Sequence, residues 1–323
     1  MQHAFVKEFG GPEQLVLETT DAPQPGSGQL LVDMEAPGVN YLDVLQRNGS
    51  ARVSLPFTPG LEGVGRIVKV GEGIDSAHGF SIGQRIAWVN VPGSYATQVL
   101  VPATQAIPVP ESFATVEALL FQGLTAQYLV SEYRGVRPGD RVLVHSAAGG
   151  VGQLLVQWLK HLGAWVVGTT STDAKAAVVR TAGADAAINY GRDYAFHDEL
   201  LLLTEGRGVD LAFDAVGAAT LPTTLKSLAR GGTAVSFGSA SGPPPAIEPG
   251  QLIPRSIRLA GGSLFAYIAD PPEMQRRATD VIDGIRAGWL RMGGGTAYNL
   301  DRAGEAHREI EGRGTQCKLY LTP

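Results

Sequence analysis

The eight residues HSAAGGVG, 145–152, carry the clearest chemistry in the chain. Aligned on a G-x-G-x-x-G turn, the key positions are Ala147, Gly149 and Gly152. A glycine at 149 lets backbone approach a pyrophosphate, and one at 152 lets a helix pack closely on a strand. Residues Ala148, Gly149, Gly150, Val151 and Gly152 then open a helix, where the amides of Gly149, Gly150 and Val151 can donate to phosphate oxygens. Ala147 stands where the generic pattern has its first glycine. Such a turn alone can be purely structural, so its context decides. RVLVHS (141–146) before it is a near-continuous apolar run, as in a doubly buried parallel strand. VGQLLVQWLKHLG (151–163) after it has apolar residues at helical spacing and stops at Gly163. The segment reads as a dinucleotide-binding turn.

The end of the following strand selects the dinucleotide. An Asp or Glu about 20 residues past the glycines would hold a free ribose 2′-hydroxyl. Here VVGTTSTDAK offers the neutral Thr169, Thr170 and Ser171, with Lys175 in the first helical turn. Hydroxyls and a cation suit a 2′-phosphate, so NADP is favoured over NAD. Tyr190 ends the next strand, where its ring can flank an adenine. The competing roles are helix capping for Ser171, Thr172 and Asp173, and a solvated face for Lys175.

These residues need a scaffold, and the pattern supplies one. Before about residue 115 the chain is strand-like and punctuated: QLLVDMEAPGVN (29–40), GVGRIVKVG (63–71) and RIAWV (85–89) lie between Gly and Pro turns. This predicts a small antiparallel β domain. After it, strands at 141–146, 164–170, 186–189, 209–216, 232–237 and 256–261 alternate with helical stretches near 151–163, 173–183, 194–204 and 220–229. The rhythm predicts an α/β fold with a doubly wound, six-stranded parallel Rossmann sheet. Toward the end, 271–290 reads as a helix, GGG (293–295) as a turn, LDRAGEAHREIEG (300–312) as a helix capped by Asp301, and CKLYLTP as a strand returning to the first domain.

Composition narrows the function classes. The 42 glycines and 20 prolines among 323 residues show no G-X-Y period, which excludes collagen-like and low-complexity chains. Net charge is -5 with no basic run, so nucleic acid and anionic membrane are not expected partners. Cys317 is the only cysteine, so neither a disulfide framework nor a Cys-rich zinc site can form. The N-terminus lacks an apolar signal core and no apolar run reaches 18 residues, so the expectation is a cytoplasmic protein.

FGGPEQL near the start, GVNYLDVLQRNG (38–49), PGLEGVG (59–65), QGLTA (122–126), HSAAGGVG, DAVG (214–217), VSFGSASG (235–242) and AHREIEGRGTQCK (306–318) occur in one order. Together they resemble the quinone oxidoreductase, or zeta-crystallin-like, branch of the medium-chain dehydrogenase/reductase superfamily. The resemblance implies a mainly antiparallel β, GroES-like catalytic domain split around an inserted Rossmann domain, with segments 1–121, 122–262 and 263–323. It also implies an NADPH-dependent reductase, and a homodimer formed by pairing the edge strand SIRLAG (256–261) across a two-fold axis, which removes an open sheet edge.

Zinc-dependent members of the superfamily place a Cys where this chain has Asn40 and a His where it has Leu61; Glu62 of that motif remains. The six histidines, at 3, 78, 145, 161, 197 and 307, have no ligand-like spacing. No metal site is expected. Without a Lewis acid to activate an alcohol, the remaining chemistry is hydride delivery to an acceptor that is already electrophilic, a quinone or an enone. The protein then supplies orientation and hydrogen bonds to the developing oxyanion. Asn40 takes the lost ligand's place and is expected to face the nicotinamide, with the adjacent Tyr41 as a candidate proton donor; a buried structural hydrogen bond is the alternative role for Asn40. Asp43 and Arg47 read as a structural pair. The family's G-x-Y-P tyrosine is missing from NGSARVSLPF, where Ser50 and Ala51 stand. By the same resemblance Thr125 approaches the nicotinamide ribose, Phe237, Gly238 and Ser239 lie at the carboxyl edge of the sheet, and Arg313 and Lys318 reach toward the cofactor. Two other functions fit the same residues: an enoyl reductase acting on a carrier-bound acyl chain, and a non-enzymatic, crystallin-like NADPH-binding protein.

Overall fold

Residues 142–144, 166–167 and 211–213 are buried at the centres of three adjacent strands, which is why they read as short unbroken apolar runs. The computed structural model describes residues 1–74, 79–191, 193–312 and 314–323. The chain divides into two units: 1–121 with 270–278 and 292–323, and 122–269 with 279–291. The helix near 271–286 thus contributes to both.

In the first unit, β1 (Gln2–Phe5) and β2 (Val16–Thr19) form an antiparallel pair. β3 (Gln29–Pro37) is followed by the short helix α1 (Tyr41–Arg47). β4 (Glu62–Val70), β5 (Arg85–Val89), β6 (Gln98–Pro102), β7 (Ile107–Pro108) and the helical turn α2 (Thr115–Ala118) follow. The five-stranded sheet has order β6-β3-β4-β5-β7, antiparallel throughout, with Leu30 opposite Val70 and Gly63 opposite Trp88. Leu30, Val32, Met34, Ile67, Ile86 and Trp88 form its core.

In the second unit, α3 (Phe121–Glu132) precedes the sheet, Phe121 itself belonging to the first unit. β8 (Arg141–Val144), α4 (Gly150–His161), β9 (Trp165–Thr170), α5 (Asp173–Thr181), β10 (Ala186–Asn189), α6 (His197–Leu203), β11 (Val209–Asp214), α7 (Leu221–Ser227), β12 (Leu228–Ser236) and β13 (Arg258–Gly261) alternate as expected, and α8 (Leu264–Tyr267) follows. The six strands are parallel in the order β10-β9-β8-β11-β12-β13. The order reverses between β8 and β11, so the turn after β8 lies at the topological switch point, where such sheets bind ligands. α4 buries Leu154, Leu155, Trp158 and Leu159 and ends before Gly163, whose φ of +82° no L-residue adopts easily.

The remaining elements are α9 (Pro271–Arg286), β14 (Gly295–Asn299), α10 (Ala303–Glu311) and β15 (Lys318–Thr322). Three readings need correction. Gly295 is not in a turn but starts β14, which pairs in parallel with β15, Gly295 opposite Lys318. Asp301 does not cap α10: a 3-10 turn, Leu300–Arg302, precedes the helix, with Asn299 as its cap and Arg302 as the cap of α10. β12 begins four residues before 232, because Leu228 already pairs with Val209, with a register shift before Leu211. Among the described residues, no helix is long and apolar enough to cross a membrane.

Candidate functional site

The turn after β8 owes its shape to two contacts. Ser146 adopts φ +52°, an uncommon conformation for a serine, and its carbonyl accepts the amide of Gly149 at 3.0 Å. A Cβ on Gly152 would strike that same carbonyl and lie 2.7 Å from Cα of Ala147, both backbone atoms. Only glycine lets α4 sit this close to the turn. Because the Gly149 amide is committed to Ser146, it is not among the donors left at the helix start. Those are the amides of Gly150, Val151 and Gly152, which as the first three of α4 have no acceptor within the helix. Ala148 is buried beneath them, and Gly149 is the N-cap. A Cβ on Gly150 would meet the Gln122 side chain, so α3 abuts the turn. Thr125 lies on α3 one turn beyond Gln122 and is buried.

Beside the turn, β9 ends in the buried Thr169 and Thr170. Thr172, neither Ser171 nor Asp173, caps α5: its hydroxyl accepts the amide of Lys175 at 3.3 Å. Asp173 is the first helical residue, and its carboxylate accepts from Asn189 Nδ2 at 2.8 Å, the end of β10. Ser171 stays exposed and Lys175 half-buried. Tyr190 packs at 4.8 Å from the Tyr194 ring. Phe237, Gly238 and Ser239 follow β12 at the carboxyl edge; a Cβ on Gly238 would lie 2.7 Å from the Ala215 carbonyl. Thus Thr170, Ser171, Lys175, Tyr190, Phe237, Gly238 and Ser239 all fall at the edge where the turn opens.

Sequence reasoning missed what supports this edge. Asp214, fully buried at the end of β11, accepts from the amides of Val216 and Gly217 and from the hydroxyls of Thr220 and Thr224. His145 bridges Thr169 Oγ1 at 2.7 Å and Thr224 Oγ1 at 2.8 Å, and burial holds its pKa down. It joins the end of β9 to the middle of α7 and is structural, as its place just after β8 suggests.

In the first unit Asn40 caps α1, and its backbone N–H donates to Asp43 Oδ2 at 2.8 Å. Its side chain is buried in an ion-pair network. Asn40 Nδ2 donates to Glu62 Oε1 at 2.9 Å, and Asn40 Oδ1 accepts from Lys318 Nζ at 3.0 Å. Lys318 pairs with Glu62, both almost wholly inaccessible, and Glu62 Oε2 accepts the Phe121 amide at 3.0 Å. Gly38 must be glycine, since a Cβ would collide with the Glu62 carboxylate. Tyr41 is the half-buried first residue of α1. Asp43 and Arg47 do not form a pair: Arg47 binds Glu311 at 2.7 Å, and Asp43 meets Tyr95. Arg313 lies outside the described residues, as does His78.

Two family models match the chain, one described as alcohol dehydrogenase GroES-like domain over residues 26–111, the other as zinc-binding dehydrogenase over residues 150–281. A probable quinone oxidoreductase of Schizosaccharomyces pombe is 36% identical over 324 residues, 98% of this chain and 95% of that protein. The chain belongs to the quinone oxidoreductase branch of the medium-chain dehydrogenase/reductase superfamily. A 2-haloacrylate reductase of a Burkholderia species is 33% identical over 332 residues, 99% of this chain and 98% of the relative. A mycobacterial protein solved in complex with NADPH superposes with a TM-score of 0.95 at 38% identity, covering 100% of both chains.

The zinc implied by one of those descriptions does not fit the residues present. Among the described residues no group of three or more His, Cys, Asp or Glu side chains is arranged to hold a metal. The one retained carboxylate, Glu62, has both oxygens engaged, and the cation beside it is the Lys318 ammonium. A dinucleotide fits better. The turn presents three helix-start amides without an acceptor in the helix at a switch point, with hydroxyls and a lysine near the end of β9, where the nearest carboxylate, Asp173, accepts from Asn189.

Proposed function

We propose that this protein is an NADPH-dependent, zinc-independent reductase that transfers hydride to a quinone or to the activated C=C bond of an α,β-unsaturated carbonyl. The observation that carries the reading is the turn itself: Gly152 packed without a Cβ against Ser146 and Ala147, leaving the amides of Gly150, Val151 and Gly152 for a pyrophosphate. Ala148 and Gly149 shape that cradle. Thr170, Ser171 and Lys175 would hold the 2′-phosphate, Tyr190 would flank the adenine, and Thr125, Phe237, Gly238 and Ser239 would border the nicotinamide half, with Arg313 and Lys318 assigned to the cofactor by family resemblance. NADPH, when bound, supplies the hydride. The related mycobacterial protein binds NADPH, which supports the choice of cofactor.

The chain's own contribution to the acceptor comes from Asn40. One Nδ2 hydrogen is given to Glu62, and Lys318 holds the amide oxygen, so the group is fixed in orientation. Its second N–H is the donor offered to the oxygen on which charge develops, and Tyr41 is the adjacent phenol for proton delivery. The Burkholderia relative is named for reducing 2-haloacrylate, an activated C=C bond, which favours that acceptor class beside quinones. For assembly, β13 pairs only with β12 among the described residues, and we propose that two copies join along this edge. Loss of NADPH absorbance with a quinone and an enone tests the activity. Lys175→Ala is expected to raise the KM for NADPH about 10- to 100-fold and leave that for NADH nearly unchanged, as the loss of one charge-assisted hydrogen bond requires. An equal rise for both cofactors would place Lys175 away from the 2′-phosphate.

A further inference from the structure

A one-directional row of buried hydrogen bonds runs behind Asn40. Arg47 Nη1 lies 3.4 Å from His307 Nδ1, and a guanidinium can only donate, so Nδ1 accepts and the imidazole proton is on Nε2. Nε2 then donates to Tyr95 Oη at 3.0 Å, and the single hydroxyl hydrogen of Tyr95 goes to Asp43 Oδ2 at 3.1 Å. The same Oδ2 accepts the N–H of Asn40. Asp43 Oδ1 is buried with no partner among the described residues. Burial, with Arg47 beside it, pushes His307 down to about 3, so the ring is neutral at ordinary pH.

This row is not a proton conduit. It ends at Arg47, which is held by Glu311 and by the Gly10 carbonyl and does not release a proton. What it does is aim a hydroxyl at the same carboxylate oxygen that accepts the Asn40 N–H, so that oxygen is held from two sides. We propose that Asp43 is a positioning residue for Asn40, with Tyr95 and His307 holding it in place. The consequence for reduction rests on the reading that Asn40 meets the acceptor.

Asp43 is faced by Asn40 of its own helix, Tyr95 after β5, Glu62 of β4 and Lys318 of β15, with His307 of α10 and Arg47 behind Tyr95. Burial raises its carboxyl to about 7, against the pull of the Asn40 amide, Tyr95 and Lys318. Its grip on Asn40 therefore weakens as pH falls through neutrality. The test follows the Asn40 side-chain amide signals of the full-length, 15N-labelled chain by NMR from pH 5 to 9. In the wild type they are expected to move with one inflection near 7. Asp43→Asn is expected to abolish that inflection. Tyr95→Phe, which removes a hydrogen bond favouring the carboxylate, is expected to raise it by about one pH unit. In the kinetic arm, Asp43→Asn is expected to lower kcat about tenfold and leave the KM for NADPH unchanged. Asn40 signals that ignore pH in the wild type, or an inflection that survives Asp43→Asn, overturn the proposal. If Asp43→Asn does not fold, an inflection unmoved by Tyr95→Phe does the same. Signals that behave as expected in a protein that reduces no acceptor leave the positioning intact and remove the reductase reading.

Discussion

Gly152 and Gly149 occupy one motif for different physical reasons. A Cβ at 152 meets backbone on two sides, whereas at 149 the nearest atom is the Ser146 carbonyl at 3.2 Å. Gly152→Ala must therefore push α4 off the turn, and a loss of about 1–3 kcal/mol in unfolding free energy is expected, together with weaker NADPH binding. Gly149→Ala should leave stability within about 1 kcal/mol and still weaken NADPH, because its methyl stands where a phosphate would approach. Thermal melts paired with titration calorimetry separate the two; equal destabilisation would contradict the assignment. The role of Gly152 was legible because only close approach explains a glycine there. Ser146 was not: nothing in a serine's identity announces φ +52°. Ser146→Val is expected to cost about 1–2 kcal/mol in a denaturant series, since a β-branched residue tolerates that conformation poorly.

At the scale of elements, β15 is tied to β4 and to the start of α1 by one buried ammonium. Removing one partner of such a pair leaves an uncompensated charge. Lys318→Met is expected to destabilise the fold by about 3–5 kcal/mol, with a substantial part recovered in the double variant Glu62→Gln, Lys318→Met, as read from urea unfolding. An additive double variant would show that the pair is not coupled. The helix pair α1 and α10 makes a second prediction. His307 is depressed to about 3, so its stabilisation is full above about 6.5 and is lost as pH falls through 3. Asp43 is raised to about 7, so its favourable contribution is full below about 3.8 and is lost as pH rises through 7. Near pH 5 unfolding takes up a proton at His307 and releases one at Asp43, and the two slopes oppose. His307→Gln should make stability change with pH by about 1.4 kcal/mol per unit more negatively than in the wild type, and Asp43→Asn by about as much more positively. Parallel slopes in all three proteins would contradict the burial of these groups as neutral species. The six strands of the second unit, with β3, β4, β5 and β15 of the first, were legible from apolar runs and Gly/Pro punctuation, whereas β1, β2, β6, β7 and β14 were not. The Glu62–Lys318 pair was not, because its members lie 256 positions apart and no local pattern joins them. The same distance hides the contacts of Lys318 with Asn40 and Glu62 from any local reading of the sequence.

Across the whole molecule, the alternation of apolar runs and helical stretches gave the number of parallel strands, whereas the spatial order of the six and of the five antiparallel strands emerges only in the structure. The exposed side of β13 predicts association: sedimentation should give a dimer, and Leu259→Pro, a residue that edge strands use to block further pairing, should shift it toward monomer. Family membership leaves the acceptor open, since relatives of similar identity are named for quinones and for 2-haloacrylate. The most direct test is therefore steady-state oxidation of NADPH by the full-length protein with a p-quinone and an α,β-unsaturated ketone, in the presence of a zinc chelator. The account predicts turnover with at least one of the two acceptors, undiminished by the chelator and much slower with NADH. No turnover with either acceptor, or oxidation of a simple alcohol with NAD that the chelator abolishes, would contradict it.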